Sequence, residues 1–122
     1  MKVLVVDDSK VTRKFIVRLL HDLGVTEIVE AVNGTEALTQ FNAGPCDIVL
    51  TDWNMPDKSG VQLVRELRAA GATVPIVMIT TETERSHVVE AIQAGINDYL
   101  VKPFQKSLLL DKLYKFGLEP VG

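Results

Sequence analysis

KVLVVDDSKVTRKFIVRLLHDLG, residues 2–24, changes its period partway along. Residues 3–6 are four consecutive apolar side chains, the pattern of a strand buried on both faces. After Ser9 the apolar positions fall at Val11, Phe15, Leu19 and Leu23, with Ile16 and Leu20 beside them. That is helical spacing, and Gly24 stands where a helix C-terminal glycine belongs. A buried strand followed by an amphipathic helix is the first half of a parallel crossover unit.

The rest of the chain repeats the unit. Residues 27–32 read as a weaker, alternating strand. Asn33 precedes Glu36 at capping-box spacing, opening a helix that carries Ala37, Leu38 and Phe41. Gly44 and Pro45 end it, and Ile48, Val49 and Leu50 form a third buried strand. Ser59 and Gln62 repeat the capping spacing ahead of the stripe Val61, Val64 and Leu67. Residues 76–79 are the fourth strand. A helix follows from about Thr83, with Val88, Ala91 and Ile92 inward and Gly95 closing it. Residues 99–101 are a short fifth strand, and the last helix carries Leu108, Leu109, Leu113 and Phe116. Five buried strands alternating with five amphipathic helices imply a three-layer, doubly wound α/β domain on a parallel sheet, of the flavodoxin-like kind.

At 122 residues, 47% hydrophobic and 24% charged, the chain suits one globular domain with a real core. Its longest apolar runs are far too short to span a bilayer. Met1 leads directly into strand-like sequence, which leaves no room for a signal peptide. The single Cys46 forms no internal disulfide and suits a reducing cytoplasm. A net charge of −3 argues against direct nucleic-acid binding. Residues 117–122 read as a tail or a truncated linker. His21 and His87 are expected at the surface, and Lys10, Arg13 and Lys14 on a solvated helix face.

In doubly wound folds the functional site lies at the carboxyl ends of the strands. There the sequence places Asp7 and Asp8 after strand one and Asp52 after strand three. Thr80 and Thr81 follow strand four, and Lys102 follows strand five. An Asp before a helix is often only a cap, and Asp8 alone would carry little weight. Three converging carboxylates are different, because they oppose one another's ionisation unless a cation joins them. An all-oxygen set suits a hard ion, magnesium before calcium, and magnesium commonly completes its shell with phosphate oxygens. Lys102 would add positive charge at that phosphate and Thr80 a hydrogen-bond donor. Asp52, on the middle strand of the cluster, is the candidate nucleophile. No GxxxxGK, GxGxxG, HExxH or GxSxG motif occurs, so the phosphoryl group is expected from a donor rather than from bound ATP.

In these residues the sequence resembles the receiver domains of two-component response regulators, particularly the stand-alone chemotaxis type. The resemblance runs from KVLVVDDS through DWNMP and MITTE to DYLVKPF, nearly the whole chain. It implies that Asp52 is phosphorylated by a histidine kinase or a phosphotransfer protein, whose docking the first helix assists. It also implies that Asp8 binds magnesium directly, Asp7 largely through water, and Asn54 through its backbone carbonyl. Lys102 would pair with the phosphate, ahead of a proline bond that is usually cis. Thr80 would close onto the phosphate while Tyr99 turns inward, remodelling the surface of the last two helices and the fifth strand for a target protein. Asn54 and Glu82 would tune the phosphoryl lifetime toward seconds to minutes, with Thr81 an unusually bulky neighbour.

The resemblance thus implies a cytoplasmic signalling switch, monomeric or weakly dimeric, that catalyses only its own phosphorylation and dephosphorylation. Two rivals fit less well. A small aspartyl phosphohydrolase would need a second carboxylate where Asn54 stands, and a cap domain. A degenerate receiver serving only as an interaction module would not need the full set Asp7, Asp8, Asp52, Thr80 and Lys102.

Overall fold

The computed structural model describes residues 1–81 and 85–119. Strand and helix alternate throughout: β1 (Lys2–Val6), α1 (Lys10–Asp22), β2 (Glu27–Ala31), α2 (Gly34–Ala43), β3 (Ile48–Thr51), α3 (Gly60–Ala69), β4 (Ile76–Thr80), α4 (Arg85–Ala94), β5 (Asp98–Val101) and α5 (Lys106–Lys115). The strands form one parallel sheet in the order β2-β1-β3-β4-β5. Strand order reverses between β1 and β3, so a crevice opens where those two strands end.

The sheet's period of two divides the core. Leu4, Val6, Val49, Ile76 and Met78 face α2, α3 and α4, meeting Ala37, Leu63, Val64, Leu67 and Ala91. Val3, Val5, Ile48, Leu50, Val77 and Ile79 face α1 and α5, meeting Ile16, Leu20, Leu109 and Leu113. Each large side chain buried in this way contributes about 1.5–3 kcal/mol relative to exposure. Among the described residues, no helix is long and apolar enough to cross a membrane.

Local signals set the helix starts. Ser9, Asn33 and Ser59 accept hydrogen bonds from the backbone amides of Thr12, Glu36 and Gln62, so the two predicted capping sites are in use. Gly24, just past α1, has φ +91°, a left-handed conformation that glycine adopts without cost.

The inward stripes needed correction. On α1 the buried face is Arg13, Ile16 and Leu20. Val11 is 83% and Phe15 52% exposed, because that flank looks toward the Lys102–Phe104 segment instead of the sheet. Ile92 on α4 and Leu108 on α5 also face outward. The predicted start of α4 near Thr83 lies outside the described residues.

Candidate functional site

β1 and β3 are neighbours in register, with Val6 opposite Thr51, so the residues that follow them emerge side by side. The Asp52 amide donates to the Val6 carbonyl at 3.0 Å, extending the ladder one step and fixing the Asp52 backbone against β1. Asp7 is tied the other way, its amide donating to the Ala31 carbonyl at 3.1 Å. Asp7, Asp8 and Asp52 each bring a carboxylate oxygen to within 4.8 Å of the others. Asp7 is buried, Asp52 half-buried and Asp8 exposed. From β5, Lys102 reaches across β4 to place Nζ 3.1 Å from Asp7 Oδ2 and 3.5 Å from Asp52 Oδ2. The Lys102 amide donates to the Thr80 carbonyl at 2.9 Å, so the ends of β4 and β5 are bonded together.

The second carboxylate oxygens of Asp7 and Asp52 also have partners. Asp7 Oδ1 accepts from the Ser9 amide at 2.9 Å, and Asp52 Oδ1 from the Trp53 amide at 2.7 Å. Thr80 is buried at the end of β4, and Thr81 is exposed beside it. Asn54 is exposed on the loop two residues beyond Asp52, and Glu82 lies outside the described residues. Tyr99 is 39% exposed, at the edge of a small apolar cleft lined also by Trp53, Met78, Thr80, Val88, Ala91 and Ile96. The Lys102–Pro103 bond is cis.

The electrostatics are unbalanced. Burial pushes the Asp52 carboxyl above the usual carboxylate range; Lys102 opposes the rise and Asp7 adds to it. One ammonium among three carboxylates leaves net negative charge in a partly dry crevice. The donor set fits a hard divalent cation.

A pH dependence follows for the metal-free protein. Because its folded pKa is raised, Asp52 is best tolerated when protonated. Stability from this group is full below the ordinary carboxylate range and is lost as pH rises through the folded value. In chelator at neutral pH, Asp52→Asn is therefore expected to melt higher than wild type, with the gain shrinking toward acid. Magnesium is expected to close the gap by stabilising the wild type. A gap that did not change with pH would contradict this.

Three residues at or beside the site were misread or missed in the sequence. Arg13 is not on a solvated face: it is 8% exposed, donating to Glu30 Oε1 and to the Asp7 carbonyl, both at 2.9 Å. Its phase with Ile16 and Leu20, three and seven residues on, was the available signal. Gly60 carries no sequence signal, yet a Cβ there would stand 2.1 Å from the Asp52 carbonyl oxygen. His87 is also not a plain surface residue. It is half-buried, with its ring centroid 5.3 Å from that of Trp53.

Comparison with known proteins agrees with this geometry. The family model for the response regulator receiver domain matches residues 3–114. The chain is 44% identical over 117 residues to the chemotaxis protein CheY of Pseudomonas aeruginosa, covering 94% of each chain. It is 43% identical over 116 residues to chemotaxis protein CheY1 of Helicobacter pylori, covering 93% of this chain and 94% of that one. The solved structure of Vibrio cholerae chemotaxis protein CheY4 matches with a TM-score of 0.88 at 36% identity, over 95% of this chain and 98% of that one. The strand order found here is the one flavodoxin and CheY share. With a match across almost its whole length, the chain belongs to the response regulator receiver domain family and is a receiver of two-component signal transduction.

Proposed function

We propose that Asp52 is the phosphoacceptor of a magnesium-dependent switch, and that the whole chain, residues 1–122, works as one receiver unit with a tail from about residue 117. The observation that carries this is the convergence of Asp7, Asp8 and Lys102 on the Asp52 carboxylate at the end of β3. An Asp52 oxygen attacks phosphorus, and the bond from phosphorus to the donor's histidine nitrogen breaks. Lys102 lies within reach of the new phosphoryl oxygens, and Thr80 closes from β4. Magnesium, held by Asp7, Asp8, Asp52 and the Asn54 carbonyl, would neutralise charge building on those oxygens. Water later attacks phosphorus, the bond from phosphorus to the Asp52 oxygen breaks, and inorganic phosphate leaves the restored carboxylate, with Asn54 and Glu82 setting the rate. The chain turns over only its own phosphoryl group.

The phosphoryl group adds charge at the mouth of the Thr80–Tyr99 cleft. Thr80 moves toward it, Tyr99 enters the space released, and the α4-β5-α5 face changes shape for a downstream protein. The relatives' names point to chemotaxis as the pathway. The donor is a histidine kinase or a phosphotransfer protein, and the cytoplasm, where such kinases act, is the proposed location.

The test is chemical. Incubation with acetyl phosphate and magnesium is expected to give a single phosphoryl adduct by intact mass, cleaved by hydroxylamine and mapped to Asp52 after borohydride trapping. An adduct elsewhere, or turnover of simple phosphoesters, would overturn the reading. The exposed flank of α1 gives a second measurement. Val11 and Phe15 form an apolar groove with Pro103 and Phe104, and Lys102 lies at its edge. Phe15→Ser is expected to slow transfer from a protein donor about tenfold or more, as interface anchors do. The rate with acetyl phosphate should stay at wild type. Equal slowing with both donors would place Phe15 in the fold instead.

A further inference from the structure

We propose that Arg13 is a positioning residue that sets the divalent-cation affinity of the site by holding the Asp7–Asp8 turn through its backbone. The inference rests on the magnesium reading above. Among the described residues the buried charged side chains are Asp7 and Arg13, and the Arg13 guanidinium donates to the backbone carbonyl of Asp7. Burying a guanidinium is costly without fixed partners, and a methionine at this position would pack beside Ile16 and Leu20 without that cost. What the arginine supplies is a forked donor. Nη1 meets the Asp7 carbonyl at 2.9 Å in a buried bond, and Nε meets Glu30 Oε1 at 2.9 Å.

Glu30 completes the arrangement from the neighbouring strand. It stands opposite Val5 in the β1–β2 ladder and also accepts from Lys14 at 2.8 Å. The Asp7 peptide is thus fixed at three points: its amide on Ala31, its carbonyl on Arg13 and its carboxylate on Ser9 and Lys102. The next residue in the chain is Asp8, exposed and, among the described residues, without a hydrogen bond of this kind to aim it. The direction in which Asp8 leaves the strand follows from the orientation of the Asp7 carbonyl.

Charge and position predict opposite signs, which makes the proposal testable. Acting only through its charge, Arg13 repels a divalent cation, and removing it tightens binding. Acting as a tether, its removal weakens binding. Calorimetric titration of the metal-free protein with magnesium is expected to show Arg13→Met binding about 10- to 100-fold more weakly, the usual cost of losing a group that orients a metal ligand. Arg13→Lys keeps the charge but loses the fork, and is expected to fall with it. Glu30→Gln, at a partly exposed side chain that leaves the core intact, is expected to show a smaller loss of the same sign. Tighter or unchanged binding in Arg13→Met, or wild-type affinity in Arg13→Lys, overturns the proposal. If Arg13→Met does not fold, the Glu30→Gln titration decides. Failure of the wild type to bind magnesium removes the underlying metal reading, and this inference with it.

Discussion

Asp52→Asn is expected to abolish the change in Trp53 fluorescence that beryllofluoride and magnesium produce in the wild type. The effect should be all or none. Asn offers no carboxylate oxygen to bond phosphorus or its beryllium mimic, while it keeps the size and backbone of Asp52. The backbone tie to Val6 and the Trp53 neighbourhood therefore survive, and the variant should fold. Loss of signal then reports lost chemistry and not lost structure. A wild-type-sized response in the variant would mean that beryllofluoride binds elsewhere. Far-ultraviolet circular dichroism of the same sample supplies the folding control.

Gly60→Ala is expected to produce the largest structural penalty at the site. Its Cβ would lie 2.1 Å from the Asp52 carbonyl oxygen and 3.1 Å from its carbon, contacts that no side-chain rotation relieves. The Gly60 amide also donates to the Trp53 carbonyl at 2.8 Å, so α3 begins pressed against the loop that carries the proposed phosphoacceptor. Backbone must move, and overpacking of this kind costs about 1–3 kcal/mol. The displaced atom belongs to Asp52 itself, so beryllofluoride affinity is expected to fall as well. Denaturant unfolding measures the first effect and fluorescence titration the second. A variant as stable as wild type would show that the loop relaxes freely.

What the sequence revealed depended on how many faces a segment buries. β1, β3 and β4 are covered on both sides, so residues 3–6, 48–50 and 76–79 read as unbroken apolar runs. β2 is an edge strand with Glu27 exposed, and its pattern was correspondingly weak. The strand ends then located Asp7, Asp8, Asp52, Thr80 and Lys102 without further information. α1 was harder because it is apolar on two flanks, and periodicity alone does not say which one meets the sheet. Val11 and Phe15 lead the helical apolar spacing yet face away from the sheet, while Arg13, expected on a solvated face, is buried. Gly60 was illegible for another reason: its role is the absence of atoms beside a carbonyl, and only coordinates show that.

The ring contact between Trp53 and His87 joins the residue after the proposed phosphoacceptor to α4. The chain has one tryptophan, so its emission reports from two places at once. Its amide is bonded to the carboxylate proposed to react, and its indole rests on the helix proposed to shift when a target binds. Rapid-mixing traces with a small phosphodonor should therefore resolve two phases. The first follows donor concentration as bond formation does, and the second is independent of it, reporting how fast α4 settles. One optical probe, already present in the natural sequence, can time the switch against its trigger.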